Sequence, residues 1–556
     1  MKGLVFFLAI LARVNLLAQS TIGVTQYDNL NTDGYVLFSG ISSNQTYLVD
    51  KCGRKINQWS SNYKPGLSVS LLPNGDLFRT GLSASSSFGT GGGKGGILEK
   101  YSWGRSLLWS YIISDINQCQ HHDAIVLPNG NVLAIVWERK ISSQALQAGK
   151  NPAVTSLLSN QEVWSEKIIE LQPIGTNSAN IIWEWKAWDH LVQDFDNTKD
   201  NFGAVNQHPE LLNVNYVLQG PPTNSDWLHI NSIDFDSANN RILLSSHSFE
   251  EFWIIDHSTT TAEAASHSGG NAGKGGDLLY RWGNPITYGR GVAGDHKLFK
   301  QHHASFIKSG FPNAGKVLVF NNGVNRPGGN YTSIDIVDIS QAGNPFTIGT
   351  TTPYLPESAF WTYTATPPTS FYASNIGGVY PLTNGSFIIT NGPKGELFEI
   401  DSTSTVKWRY TNPVNNAGPM TQGTTPTLNT VFRSPFYEPT YSAFTSQTLT
   451  PGNEIELNPT VPSLCSLATG FQEISNEIFS VYPNPIAGSG TLEIEYFAKE
   501  NYTVELFNTF GQILFTKEFF KNTNKTSIDL PDLKQGIYFL KCNGLINSRS
   551  RIIIVN

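Results

Sequence analysis

Charge is scarce in this chain. Of its 556 residues only 15% are Asp, Glu, Lys or Arg, against about 25% in an ordinary globular protein. Lys and Arg number 37 and Asp and Glu 44, a formal charge of −7. No basic run stands out, so nothing argues for a nucleic-acid partner. Cysteine is rare as well. Cys52, Cys119, Cys465 and Cys542 lie far apart with no CxxC or zinc spacing, and their possible pairings stay open. No stretch beyond the N-terminus reaches the ~18 apolar residues of a spanning helix, so no stable membrane span is expected. What abounds is punctuation and rings: 50 Gly, 29 Pro, 13 Trp, 21 Tyr and 31 Phe. Few charges, many aromatics and dense turns point to a large all-β protein.

The two ends carry targeting signals. Residues 1–19, MKGLVFFLAILARVNLLAQ, have a basic start, an apolar stretch and a small residue before a cleavage point. This is the pattern of a secretory signal peptide, the alternative being a buried first strand. Residues 448–473 are rich in Pro, Ser and Thr and read as a linker. From 474 to 556 alternating strands such as TLEIEY and YTVELFN are punctuated by turns, the pattern of a small C-terminal β-sandwich. Tyr482-Pro-Asn-Pro485, the Phe510-Gly511 turn, Gly536–Leu540 and the final basic strand resemble the type A C-terminal sorting domain of the type IX secretion system of Bacteroidota. The resemblance implies contact with that secretion machinery and a secreted or cell-surface location. The alternative is a generic adhesive β module.

Between the ends, 20–447 repeats a unit. Turn signals LLPNGD (71–76), VLPNGN (126–131), FDSANNR (235–241), SGFPNAGK (309–316) and PLTNGS (381–386) each open an apolar strand. Asn-Gly between apolar runs is a strong hairpin signal. Trp59, Trp109, Trp185, Trp282 and Trp408 recur near unit ends. A first unit at GYVLFSG lacks its own turn signal, and counting it gives about six. Units of four short strands at this spacing predict a six-bladed β-propeller, with a sandwich or solenoid as the alternative.

Aligning the units brings histidines into register. His121-His-Asp-Ala-Ile125 matches His229-Ile-Asn-Ser-Ile233 and His302-His-Ala-Ser-Phe306, and Asn375 corresponds in the last unit. Innermost strands face a shared axis, so His121, His229 and His302 are expected to converge at the channel mouth. Strict alternation would turn His122 and His303 the other way. A single such histidine is ordinarily a hydrogen-bonded core residue. Three together suit either a zinc-like metal site, as in a metal-dependent hydrolase or lyase, or an oxyanion site with one imidazole as nucleophile. Trp188, Trp227 and Phe249 are candidates to stack a phenyl ring, or else pack between blades.

Asp226–Asp236 (DWLHINSIDFD), LLYRWGNP (278–285), QHHASF (301–306) and VFRSPFYEPTY (431–441) resemble the arylsulfate sulfotransferase family. The resemblance implies a cell-envelope six-bladed propeller that moves a sulfuryl group from a phenolic sulfate donor to a phenolic acceptor, with no cofactor and no nucleotide sulfate donor. It assigns His302 as nucleophile, which would form a sulfohistidine. His229, Asn231 and His121 (His122 if the register is one off) become donors to the sulfuryl oxygens, and His122, Asn375 and Trp227 line the substrate. The family's arginine falls where this chain has His247. A guanidinium is a permanent bidentate clamp, whereas an imidazole is charged only where its surroundings allow. The other reading is a catalytically silent secreted propeller binding an anionic or phenolic ligand or a glycan.

Two further motifs look chemical. GTGGGKGG (89–96) and GGNAGKGG (269–276) lack the Walker spacing and read as turns. Asp189-His190 has no partner at ligand spacing and reads as a solvated loop.

Overall fold

The computed structural model describes residues 20–84, 87–89, 92–153, 162–217, 225–460, 465, 479–487, 489–496, 501–509, 511–519, 525–543 and 548–555. The expected signal peptide lies outside them. The chain divides into two compact units, Met1–Pro462 and Ser463–Asn556.

The first unit is a ring of six antiparallel sheets. Each turn signal opens the second strand of a blade: Leu77–Leu82, Val132–Ile141, Arg241–Ser246, Val317–Asn321 and Phe387–Asn391. The innermost strands are Pro65–Leu71 in blade 2, Gln118–Val126 in blade 3, Ile230–Asp236 in blade 4, His303–Phe306 in blade 5 and Gly378–Pro381 in blade 6. Blade 1 begins with its second strand, Tyr35–Ser39. Its innermost strand, Phe436–Tyr437, comes from the far end of the propeller sequence. That is why the first unit lacks a turn signal of its own. The N-terminal strand Gly23–Tyr27 in turn pairs with the outer edge of blade 6, at Val406–Thr411. The ring is therefore closed twice, by each end of its own chain. Part of the expected linker belongs to it: Gly452 N–H donates to Lys55 O, Lys55 N–H to Asn453 O, and Ile455 joins the core.

The recurring tryptophans sit on the outer strands and tie each blade to the next. The indole N–H of Trp59 donates to Ser102 O (2.9 Å), Trp109 to Ser178 O (2.9 Å), Trp185 to Gly276 O (2.7 Å), Trp282 to Pro356 O (2.7 Å) and Trp408 to Lys51 O (2.7 Å). In every case the acceptor is a backbone carbonyl of the following blade. A tryptophan delivers both a large apolar area and one directed donor. Blade 5 differs: Trp361 stacks instead on Phe387 of blade 6, centroids 5.2 Å apart.

The second unit is a β-sandwich. A three-stranded sheet (Phe479–Tyr482, Thr491–Tyr496, Lys525–Asp529) and a four-stranded one (Ile513–Phe519, Tyr502–Phe507, Gly536–Asn543, Ser548–Val555) enclose Leu492, Ile494, Val504, Leu506, Ile528, Leu540 and Ile553. Among the described residues no helix is long and apolar enough to cross a membrane. Cys52 and Cys465 are each disulfide-bonded.

Trp408→Phe keeps the ring but removes the donor, leaving the buried Lys51 carbonyl unpaired. It should cost about 1–3 kcal/mol, read as a lower urea midpoint. A midpoint equal to wild type would show that the latch contributes only area.

Candidate active site

The innermost strands of blades 3, 4 and 5 begin irregularly. In blade 3, Ala124 faces Ala134 and Gln120 faces Val136, so His121–Asp123 stand opposite Ile135 alone. His122 has φ +48° and His229 φ +51°, a region bulky residues adopt at a cost, characteristic of functional sites. The bulge re-aims the side chains, and strict alternation fails. His122, not His121, enters the pocket. Its ring lies 4.5 Å from that of His229; His229 is 4.7 Å from His247 and 6.5 Å from His302, and His247 is 5.0 Å from His302. His121, expected among them, is turned away and stacks on Trp137 at 4.1 Å. His303 faces away too, its Nδ1 accepting from Val379 N–H.

Hydrogen bonds set the tautomers. His302 Nδ1 faces two acceptors, Asn322 Oδ1 (2.9 Å) and Lys300 O (3.1 Å). Asn322 cannot present its amide nitrogen instead, because Nδ2 donates to Ala373 O and Ile376 O. The proton of His302 is thus on Nδ1, and Nε2 carries a free lone pair. His121 Nδ1 and His122 Nδ1 lie 2.9 Å apart, and His121 Nε2 is buried with no hydrogen-bond partner among the described residues. An orphaned acceptor is more tolerable than an orphaned N–H. His121 therefore donates through Nδ1, and His122 keeps its proton on Nε2. His229 Nδ1 is 2.5 Å from Asp226 Oδ2, and Trp137 Nε1–H donates to Asp226 Oδ1 (3.0 Å). Beside them burial and the charge of Asp226 push the Glu166 carboxyl well above the ordinary carboxylate value.

Burial disfavours charge on four of these imidazoles. Burial depresses His302 to about 3, with repulsion from His229 adding to it. Burial likewise pulls His121, His122 and His247 well below the ordinary imidazole value, again with a contribution from His229. His247 therefore supplies no permanent charge. Beneath the cluster lies Arg433, in the segment just before the strand that closes blade 1. It donates to Asp123 Oδ2 (2.5 Å), Asn231 O (2.6 Å) and His302 O (3.0 Å). The glycine loop at 92–95 forms a wall: Gly93 O accepts from His122 N–H, and its φ of +85° and contact with the His122 ring leave no room for a Cβ.

The other expected residues lie outside this contact set. Asn231 is fully buried and its amide donates to Gln301 O. Asn375 is exposed, accepting from Ser374 Oγ. Trp227 packs edge-on against Trp188 and Phe249 in the core shared by blades 3 and 4. Asp226, Asn322 and Arg433 were missed, although Asp226 and Arg433 stand inside the motifs DWLHINS and VFRSP. A cavity of about 430 Å³ lies elsewhere, lined by Arg281 and Tyr288. Arg281 is committed there to Glu251 at 2.6 Å.

Closure, register and rings together define a six-bladed propeller with a cluster of imidazoles gathered about its innermost strands. The chain belongs to the arylsulfotransferase (ASST) family, which matches residues 25–418, and a secretion system C-terminal sorting domain matches residues 480–556. It is thereby an enzyme of the aryl sulfotransferase class, exported by the type IX route to the cell surface or beyond. No curated protein matches the chain. Similar solved structures include a protein of unknown function from Bacteroides caccae (11% identity, covering 73% of this chain and 99% of that one, TM-score 0.38). A putative 6-phosphogluconolactonase from Bacteroides fragilis is 8% identical, covering 74% and 99%, TM-score 0.35. Virginiamycin B lyase from Staphylococcus aureus with quinupristin is 8% identical, covering 71% and 90%, TM-score 0.31.

Neutral burial has a sign. Above about pH 6.5 folded and unfolded chains both hold these imidazoles neutral, and their contribution to stability is complete. As pH falls toward about 3 the unfolded chain takes up protons that the fold excludes, so stability drops. Melting temperature should fall steadily from about pH 6.5 to 4. A flat profile would contradict a neutral cluster.

Proposed function

We propose that this protein transfers a sulfuryl group from a phenolic sulfate ester to a phenolic acceptor through a sulfohistidine on His302, without a nucleotide donor. The observation that carries the reading is the pairing of His302 Nδ1 with Asn322 Oδ1 and Lys300 O. It leaves Nε2 as an unprotonated nucleophile at neutral pH. Nε2 attacks sulfur, the S–O bond to the aryl group breaks, and the phenolate leaves. The ring of the N-sulfo intermediate is positive. The same two acceptors on Nδ1–H stabilise that charge.

The sulfuryl oxygens need donors aimed at developing charge. His122 Nε2–H fits that role in place of His121, and His247 borders the same space. Asn231 acts indirectly, joining strands through Gln301 O. Asp226 holds the proton of His229 on Nδ1, which leaves His229 Nε2 to take the acceptor phenol's proton. The acceptor oxygen then attacks sulfur, the S–N bond breaks, and His302 is regenerated. Two half-reactions imply ping-pong kinetics.

With p-nitrophenyl sulfate and a phenolic acceptor, His302→Ala should release no nitrophenol while keeping the wild-type circular dichroism. Turnover in that folded variant would refute the nucleophile. Asp226→Asn separates the halves. Nitrophenolate is a good leaving group needing no proton, so its burst should persist, while acceptor-dependent turnover falls on the order of 10²-fold or more. Equal loss of both phases would remove His229 from the proton-transfer role.

A further inference from the structure

Two motifs left unused by the catalytic pocket meet at the outer seam of blades 3 and 4. His190 follows the outer strand Ser178–Lys186 of blade 3. It does not lie in a solvated loop: its side chain is fully buried, and its ring is parallel to that of Trp185 at 5.8 Å. The chain between the third and fourth strands of blade 4, from 257 to 279, makes a long excursion through the glycine loop and returns at Asp277. His190 Nδ1 lies 2.8 Å from Asp277 Oδ1, and His267 Nδ1 lies 2.7 Å from the same oxygen. The three donor atoms all fall within 4.8 Å of one another.

The tautomer of His190 is informative. Its Nε2–H donates to Ala264 O at 2.8 Å. A metal-bound imidazole characteristically donates its other N–H to a carbonyl or carboxylate, which orients the ring and raises its basicity. With Nε2 so engaged, Nδ1 faces the carboxylate oxygen, and a second imidazole nitrogen faces the same oxygen. The loop is shaped to this arrangement. Gly276 packs on the His190 ring where a Cβ would collide, and Gly275 (φ +57°) has Ser266 O against it. His267 is 62% exposed and Asp277 8%, so one side of the group opens to water.

We propose that His190, His267 and Asp277 bind a divalent transition-metal ion, zinc by preference, which pins the 257–279 excursion to blade 3. Two imidazoles and one carboxylate suit zinc better than calcium or magnesium, which take oxygen ligands. Zinc bonds of about 2.0–2.1 Å need only a small spreading of the present donors, with water in the fourth position.

The test is zinc(II) titration of the metal-stripped full chain by calorimetry, with cobalt(II) absorption reporting geometry. The pocket imidazoles are a competing site, so His122→Ala/His302→Ala is titrated in parallel. The inference expects one zinc per chain to persist in that double variant, with a rise in melting temperature. His267→Ala, an exposed position that leaves the core intact, should weaken that binding at least 100-fold, and Asp277→Asn likewise. No zinc binding by the double variant would overturn the site, leaving a hydrogen-bonded His–Asp–His group only. So would binding that survives both His267→Ala and Asp277→Asn.

Discussion

The indole-to-carbonyl link between neighbouring blades is the constraint on which the rest depends. A blade is a twisted sheet with two apolar faces and cannot bury both alone. Area burial would let adjacent blades slide, because hydrophobic contact has no direction. The donors of Trp59, Trp109, Trp185, Trp282 and Trp408 each select one carbonyl on the next blade. They fix the angular offset between sheets at the perimeter. That offset decides which residues face one another at the axis, where sub-ångström differences matter to hydrogen bonding.

At the axis the constraint is turned to an expensive purpose. Burying several imidazoles and a guanidinium opposes folding unless each is paired or neutral. The solution is a division of labour. Arg433 is satisfied by Asp123 and two backbone carbonyls. Burial disfavours charge on His122, His247 and His302, and hydrogen-bond partners decide where each proton sits. Asn322 and Asp226 orient the rings they face.

Much of the fold was legible because its signals are local. Asn-Gly turns and outer-strand tryptophans announce hairpins within ten residues of themselves, and five blades are built where those signals stand. The inner strand of blade 1 was not legible, since Tyr35 pairs with Tyr437 across the whole ring and no short pattern encodes that. Register reasoning brought the histidines to the right strands but chose His121 over His122. Period-two alternation holds only on a regular ladder, and a bulge opposite Ile135 breaks it. Asn322 escaped notice because an asparagine that steers a tautomer carries no periodic mark. His190 escaped because its partners lie 77 and 87 residues away by simple subtraction of positions 267 and 277, joined only when two blades meet.

Arg433 stands just before the strand that shuts the ring, and this imposes an order of events. Every other residue named around the histidines precedes it in the chain, so ribosomal synthesis delivers this guanidinium last. A polypeptide interrupted before it has the imidazoles yet nothing to bridge Asn231 and His302. Assembly of the centre therefore completes late, a short stretch of sequence before the sorting domain.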